Sequence, residues 1–315
     1  LEVVATDAGY FWVGMRGYAS SSPSGVRLMQ VDTHGRTRIP PFSLVAEALG
    51  SSSNTDEDYD FDLVPLPGGG LQVLVSEEDP DAEVSSDPNL FRAYRLAADG
   101  SLTGVRDLMY IGQYDIRYYR DIQAYRTEDH RTVFVAWPVE DPYRLVCGII
   151  PDTGECSVHT ITTNTYFNSV HGFSESTFDA GAGKLYVLYQ GQNLPGDDPL
   201  MLSRWNLAGS CEASVDLFDD FGKRTSAYHR PRLLIHDGWL FMALPDTDEN
   251  LKIARIDPSS LAVQETVEID GLELYPNAAD CRYAFVDEGG GRFGMAASAN
   301  LYGLNWVCFN TDGEI

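Results

Sequence analysis

Short runs of alternating apolar and polar residues recur along this chain, and turns rich in glycine, aspartate and serine separate them. Residues 232–265 show the pattern in full as a strand, a tight turn, a strand, a loop, a strand, a turn and a strand. Alternation with a period of two, together with β-branched and aromatic residues, predicts a β-strand in each run. This segment therefore predicts a unit of four antiparallel strands.

Two landmarks of this unit recur six times in the same order. One is the tight turn after the third strand, where Gly or Asx residues supply the positive φ or local capping that such a turn needs. It is found at residues 32–35, 98–100, 152–154, 207–209, 257–260 and 311–313. The other is the second strand, which begins at Tyr10, Leu71, Thr132, Leu185, Trp239 and Phe293.

Four-stranded units of about 50–60 residues, with no helix pattern between them, resemble the β-propeller superfamily over the whole chain. The resemblance implies an all-β fold, namely a six-bladed β-propeller of four-stranded antiparallel blades. It brings no family signature, because the sequence has no Trp-Asp blade ending, no kelch double glycine and no Ser-x-Asp-x-Gly-x-Thr-Trp box. It therefore implies a fold and no particular activity.

A single propeller domain is predicted over residues 1–315, with a last blade that lacks its outer strand. Closure of that blade needs further residues at either end, so a domain excised from a larger chain is the simplest account. A truncated chain is also compatible with seven blades. The blades are expected at residues 1–50, 51–112, 113–164, 165–222, 223–271 and 272–315.

The charge excludes several classes of partner. The chain carries 47 acidic and 22 basic side chains, a formal net charge of −25. A nucleic-acid binder needs a basic face, and an anionic membrane surface would repel this chain. No apolar run approaches the roughly 18 residues of a membrane-spanning helix, so membrane insertion is not expected. Lysine occurs only at Lys184, Lys223 and Lys252, which is typical both of a protein adapted to high salt and of a GC-rich genome.

The resemblance also implies where a ligand would bind, since the inner strands of a propeller start around a central channel. Tyrosine rings can stack on a sugar, arginine can bind a carboxylate and histidine can exchange a proton at such a site. The alternative is that these groups satisfy one another and channel water. The candidate ligand-binding residues are Tyr59, Asp60, Tyr119, Arg120, His171, Tyr228, His229, Arg230 and Tyr275.

Two functions remain open. The first is a non-catalytic binding or scaffolding propeller, extracellular, cell-surface or periplasmic, that recognises a protein or a glycan through its channel mouth or its long loops at residues 18–25, 77–88 and 190–199. The second is a carbohydrate-active or other hydrolase or lyase that uses carboxylates at the channel mouth. Its candidate catalytic residues are Asp60, Asp121, His171 and His229, with Asp62 as a further carboxylate.

No cofactor is predicted, and Ca²⁺ is the one metal that the sequence suggests. Asp56, Asp58 and Asp60 alternate along a short acidic run, and carboxylate oxygens suit Ca²⁺. The run does not match an EF-hand loop, and alternation along a strand sends successive side chains to opposite faces. A solvated acidic loop is therefore favoured over a calcium site.

The cysteines leave a disulfide open. Cys147 and Cys156 flank the predicted turn at residues 151–154, and a symmetric hairpin would place them opposite one another. The two alternatives are a disulfide, which would indicate an oxidising compartment, and a pair of ordinary strand thiols. Cys211 is expected to remain a thiol.

Overall fold

The structure is a computed structural model in which β-strands account for nearly all the regular structure. The described residues are 2–16, 26–44, 61–78, 89–108, 119–138, 144–163, 174–190, 200–217, 231–245, 251–269, 283–290, 292–300 and 303–310. They form two compact units, one over residues 1–161 and one over residues 162–315. None of the described helices has the length and apolar character needed to cross a bilayer.

Unit 1 contains three four-stranded antiparallel sheets, each made of consecutive strands in the orders β1-β2-β3-β4, β5-β6-β7-β8 and β9-β10-β11-β12. The first strands, called inner strands from here on, meet: β1 contacts β5, and β5 contacts β9. The strands are β1 (Glu2–Ala5), β2 (Tyr10–Arg16), β3 (Val26–Asp32), β4 (Thr37–Ser43), β5 (Phe61–Pro65), β6 (Leu71–Glu78), β7 (Asn89–Leu96), β8 (Leu102–Asp107), β9 (Tyr119–Arg126), β10 (Thr132–Pro138), β11 (Leu145–Ile150) and β12 (Ser157–Thr162).

Unit 2 repeats this arrangement with two four-stranded sheets and a three-stranded sheet among its described residues. Its inner strands β13, β17 and β21 also contact one another in succession. The strands are β13 (Ser174–Asp179), β14 (Lys184–Gln190), β15 (Leu200–Asn206), β16 (Cys211–Asp216), β17 (Arg232–His236), β18 (Trp239–Pro245), β19 (Leu251–Ile256), β20 (Val263–Ile269), β21 (Tyr283–Gly289), β22 (Arg292–Asn300) and β23 (Gly303–Asn310).

Burial follows the predicted alternation. On β3, Val26 and Leu28 are buried while Arg27 between them is exposed. Second and third strands supply most of the core, as in β11, which is buried along its whole length, whereas the fourth strand β8 is exposed at Leu102. Consecutive sheets bury these apolar residues against each other within each unit, and this burial is the main stabilising contribution.

The predicted tight turns are present wherever they fall within the described residues. Gly35, Gly100, Gly154 and Gly209 all have positive φ, which a residue without Cβ adopts at low cost. The turn at 257–260 has no glycine, and Leu261 takes the positive φ of 60° instead. The predicted turn at 311–313 lies outside the described residues.

In three pairs of consecutive sheets, a side chain from the third strand of one sheet donates a hydrogen bond to the tight turn of the next sheet. The donor and the acceptor occupy equivalent positions in each pair. Each turn is counted here as four residues, namely 32–35, 97–100, 151–154, 206–209 and 257–260. The donor lies two residues before the turn of its own sheet, and its target is the second residue of the following turn. We call these contacts the turn clasps. They run from Gln30 Nε2 to Ala98 O (2.9 Å), from Arg95 Nη2 to Asp152 Oδ1 (2.5 Å) and from Arg204 Nη1 to Pro258 O (2.6 Å).

The cysteine pair does not form a disulfide in this structure. Cys147 lies buried on β11, directly opposite Val135 of β10. Cys156 lies in the turn segment, because β12 begins only at Ser157. The two residues therefore do not occupy opposed strand positions as the symmetric hairpin predicted.

The prediction of an all-β fold built from four-stranded antiparallel sheets is confirmed. The described residues of the last sheet comprise three strands, β21–β23. The number of blades, their bounds and the single-domain organisation stay predictions.

Candidate functional site

The inner strands of unit 1 place polar side chains at one register position. Glu2 lies opposite Gly14, and Asp62 lies opposite Leu74. Gly14 and Leu74 in turn pair with third-strand residues that lie four positions before their tight turns, so Glu2 and Asp62 occupy equivalent positions in the two sheets. Gln123 of β9, opposite Val135, occupies the same position. Polar groups therefore follow one another along the meeting line of the three inner strands.

Asp62 links two of these inner strands. Its Oδ1 accepts a hydrogen bond from the Leu63 N–H at 2.8 Å, and its Oδ2 accepts one from the Ala124 N–H of β9 at 2.5 Å. Two backbone donors thus engage both carboxylate oxygens. Asp62, a candidate carboxylate of the hydrolase hypothesis, fixes β9 against β5 in this arrangement.

Unit 2 carries an ion pair at the equivalent position. Glu175 of β13 lies opposite Leu188, and Arg232 of β17 lies opposite Ala243. The Arg232 Nη1 donates to the Glu175 Oε2 at 2.9 Å across the two inner strands. Glu175 is only 6% exposed, so its carboxylate lies in a largely desolvated place next to the arginine.

This carboxylate belongs to a run of four consecutive buried polar residues on β13. Ser174, Glu175, Ser176 and Thr177 are consecutive on β13, and all of them are buried. A buried polar group costs free energy unless it is hydrogen-bonded, so such a run is unusual for an interior strand. We call Ser174–Thr177 together with Arg232 the polar inner wall of unit 2.

The sequence did not single out this wall. Residues 172–176 are only a partial match to the Gly-x-Ser-x-Gly nucleophile elbow, and the β-strand at Ser174–Asp179 excludes the strand-to-helix turn that such an elbow needs. The available signal was the polar run itself, because inner strand β5 has the apolar pair Leu63 and Val64 in the same part of the strand.

Few of the predicted site residues fall within the described part of the chain. Tyr119 and Arg120 lie at the start of β9, opposite Pro138 and Trp137 of β10, and Asp121 follows them on the same strand. The others lie outside the described residues, as do the calcium candidates; they are Tyr59, Asp60, His171, Tyr228, His229, Arg230, Tyr275, Asp56 and Asp58.

The described residues include no group of three His, Cys, Asp or Glu side chains close enough to hold a metal ion. The long loops at 18–25, 77–88 and 190–199 are also almost wholly outside the described part of the chain. In each sheet the second-to-third strand connection and the start of the inner strand share one end, which we call the loop end. Glu175 is the second residue of β13, so the polar inner wall begins at that end.

No protein-family model matches this chain, and no curated protein matches its sequence. Solved structures do resemble it in fold. An ulvan lyase, from a new family of polysaccharide lyases, matches with a TM-score of 0.61 at 11% identity over 99% of this chain and 80% of its own. The NanB sialidase of Streptococcus pneumoniae matches with a TM-score of 0.51 at 9% identity over 100% of this chain and 68% of its own.

A protein of unknown function from Dyadobacter fermentans matches with a TM-score of 0.57 at 12% identity, over 98% of this chain and 92% of its own. The lyase and the sialidase are β-propeller enzymes. The fold of this chain is a β-propeller. At such low identity the likeness concerns the fold alone.

Proposed function

We propose that this protein is a glycan-binding β-propeller whose ligand binds at the loop end of its inner strands. The observation that carries the proposal is the polar inner wall, in which Glu175 pairs with Arg232 on a strand that also buries the hydroxyl groups of Ser174, Ser176 and Thr177. Hydroxyls, a carboxylate and a guanidinium together supply the donors and acceptors that sugar hydroxyl groups require.

The hydrogen bonds that Asp62 and Glu175 accept favour a structural or binding role over a catalytic role for these two carboxylates. A general acid must present a protonated carboxyl to the leaving group, and a general base must present an open oxygen to the proton it removes. Asp62 instead accepts two backbone hydrogen bonds, and Glu175 accepts a guanidinium hydrogen bond. Both carboxylates thereby orient neighbouring groups.

The charge of the chain narrows the ligand class. A net charge of −25 repels a long polyanionic chain, which approaches much of the acidic surface, more than it repels a single small anion held by local side chains. Neutral or cationic glycans, or a protein that displays them, fit this field better than sulfated or carboxylated chains do. An extracellular or cell-surface location fits such a partner, and the proposed ligand needs no cofactor.

A carbohydrate-active hydrolase or lyase is the second candidate. The observation in its favour is that a polysaccharide lyase and a sialidase share the fold. Asp60, Asp121, His171 and His229 are its proposed catalytic residues, at or before the starts of inner strands.

The test is an array of neutral, cationic and anionic glycans, followed by calorimetry on each hit with His171→Ala and His229→Ala. We expect each substitution to weaken binding by about tenfold. His34→Ala is the matched control, because His34 lies in an exposed turn at the other end of its sheet, and it should bind as the unchanged protein does. Unaltered binding in both variants would overturn the proposed site.

Product analysis separates the two candidates. Each hit glycan is incubated with the protein and analysed by mass spectrometry for shortened or unsaturated products. Binding without products supports the binding propeller. If products form with the unchanged protein and do not form with Asp121→Asn, the protein is a carbohydrate-active enzyme and the binding proposal is wrong.

A further inference from the structure

Three arginine side chains converge on one turn of unit 1. Arg95 Nη2 donates to Asp152 Oδ1 at 2.5 Å, and Arg126 Nη2 donates to the same oxygen at 3.1 Å. Arg106 Nη1 donates to the backbone oxygen of Pro151, the residue before. Two guanidinium groups therefore meet at a single carboxylate oxygen, and a third lies against the adjoining peptide.

The tight turns can be held in place with less positive charge than the three guanidinium groups at Asp152 supply. At the equivalent clasp between the first two sheets, the neutral side chain of Gln30 makes the contact to Ala98 alone. In unit 2 the single guanidinium of Arg204 makes this contact, and the Glu212 carboxylate pairs with both Arg204 and Lys184. The turn at Asp152 thus has two guanidinium groups more than a clasp needs.

The donors of these groups are mostly unused. A guanidinium has about five N–H donors. Within the described part of the chain, Arg126 gives one to Asp152 and a long one of 3.4 Å to the Thr132 hydroxyl. Arg95 and Arg106 each make one side-chain hydrogen bond there.

The neighbouring carboxylates do not neutralise this excess. Asp129 pairs with Arg131 at 2.6 Å and accepts the Thr127 hydroxyl hydrogen bond. Glu128 and Glu155 are exposed, and none of the ion pairs among the described residues joins either of them to the three arginines.

We propose that Arg95, Arg106 and Arg126 form a binding site for a doubly charged tetrahedral oxyanion, either free sulfate or phosphate or the phosphate monoester of a sugar. Arginine presents paired N–H groups that match such oxygens, and two surplus positive charges match a dianion. The site lies at the end of the unit 1 sheets that carries the tight turns, and it does not depend on the glycan site proposed above.

The overall negative charge does not prevent this binding. At 0.1 M salt the Debye length is about 10 Å, so distant carboxylates are screened. The three guanidinium groups act at hydrogen-bond range, where screening is small. Affinity should therefore depend on these side chains rather than on the net charge.

The experiment is an NMR titration of the isotope-labelled full chain with sodium sulfate, sodium phosphate and sodium chloride at constant ionic strength. We expect the amides of residues 152–154 to shift saturably with sulfate and phosphate and not with chloride. Glucose 6-phosphate forms a second arm: tighter binding than free phosphate identifies the ester as the ligand, and weaker binding identifies the free ion.

Variants decide whether the arginines are responsible. Arg126→Gln keeps the Arg95 clasp and should weaken the binding of sulfate or phosphate by about tenfold. Arg106→Gln is the second test if the first variant does not fold. Glu155→Gln removes a repelling charge and should tighten binding. Arg204→Gln, the matched clasp position of unit 2, should leave the affinity unchanged. Equal shifts with chloride, or native affinity in Arg126→Gln, would overturn the proposal.

Discussion

Glu175 and Arg232 form a 2.9 Å ion pair between two neighbouring inner strands, with the carboxylate buried and the guanidinium partly exposed. A buried ion pair adds little net stability relative to apolar packing, but removal of one partner leaves a charge in a place where hydration is restricted. The pair therefore constrains which substitutions β13 and β17 accept.

We predict that Arg232→Ala destabilises the protein by about 3 kcal/mol, because Glu175 loses its guanidinium partner while it stays buried. Urea unfolding measures the change. Glu265→Gln is the matched control, since it breaks the exposed pair with Arg255 and should cost no more than about 1 kcal/mol. Equal losses in the two variants would show that burial of Glu175 is not what makes its ion pair important.

The Asp257 carboxylate should make the free energy of unfolding depend on pH in the acidic range. Hydrogen bonds from the Ser259 hydroxyl and backbone N–H lower the pKa of Asp257 from 3.8 to about 2. A depressed folded-state pKa contributes stability above the unfolded value of 3.8, and this contribution is lost as the pH falls toward 2. The carboxyl should titrate near pH 2 by NMR. Ser259→Ala should raise that midpoint toward 3.8, and an unmoved midpoint would refute the assigned cause.

Gly148→Ala should destabilise the third sheet. Gly148 lies opposite Phe134 in the β10–β11 pairing, and a Cβ built on it overlaps the Phe134 ring. Both residues lie inside the sheet, so we expect a loss of about 2 kcal/mol in thermal or urea unfolding. Gly104→Ala, on the outer strand β8 with open space around the new methyl group, is the control and should change stability by less than about 0.5 kcal/mol.

Cys156 should resist alkylation. Burial raises the pKa of the Cys156 thiol to about 12, so almost none of it is the reactive thiolate at pH 8. Cys211 is exposed, and iodoacetamide should label it much faster than Cys156, although burial also raises its pKa. Peptide mapping after timed alkylation under native conditions measures both rates. A Cys147–Cys156 disulfide peptide in the unreduced protein would contradict the separate thiols.

The repeat pattern was sufficient to predict the strands and turns. Each predicted second strand coincides with an observed one, from β2 at Tyr10 to β22 near Phe293, since alternation and turn residues are local signals. The 257–260 turn shows the limit of this reasoning. There Asp257 and the hydroxyls of Ser259 and Ser260 replace the usual glycine contribution, with positive φ at Leu261.

The site was less predictable. The sequence directs attention to residues at or just before the starts of the inner strands, such as Tyr59 and Tyr119. The described polar contacts of Asp62, Glu175 and Arg232 lie at the first or second residue of their strands. The Glu175–Arg232 pair joins residues 57 positions apart. Such a pair depends on how neighbouring sheets face each other, and a pattern within one repeat does not contain that information.

The turn clasps have a practical consequence for protein engineering. Because Gln30 and Arg204 reach the second residue of the following turn, an insertion there would disturb two sheets at once. The loop-end connections at residues 17–25 and 191–199 are rich in serine, glycine, proline or aspartate. A display scaffold built from this chain should therefore receive foreign peptides in those connections and keep the turns at 97–100 and 257–260 at their native length.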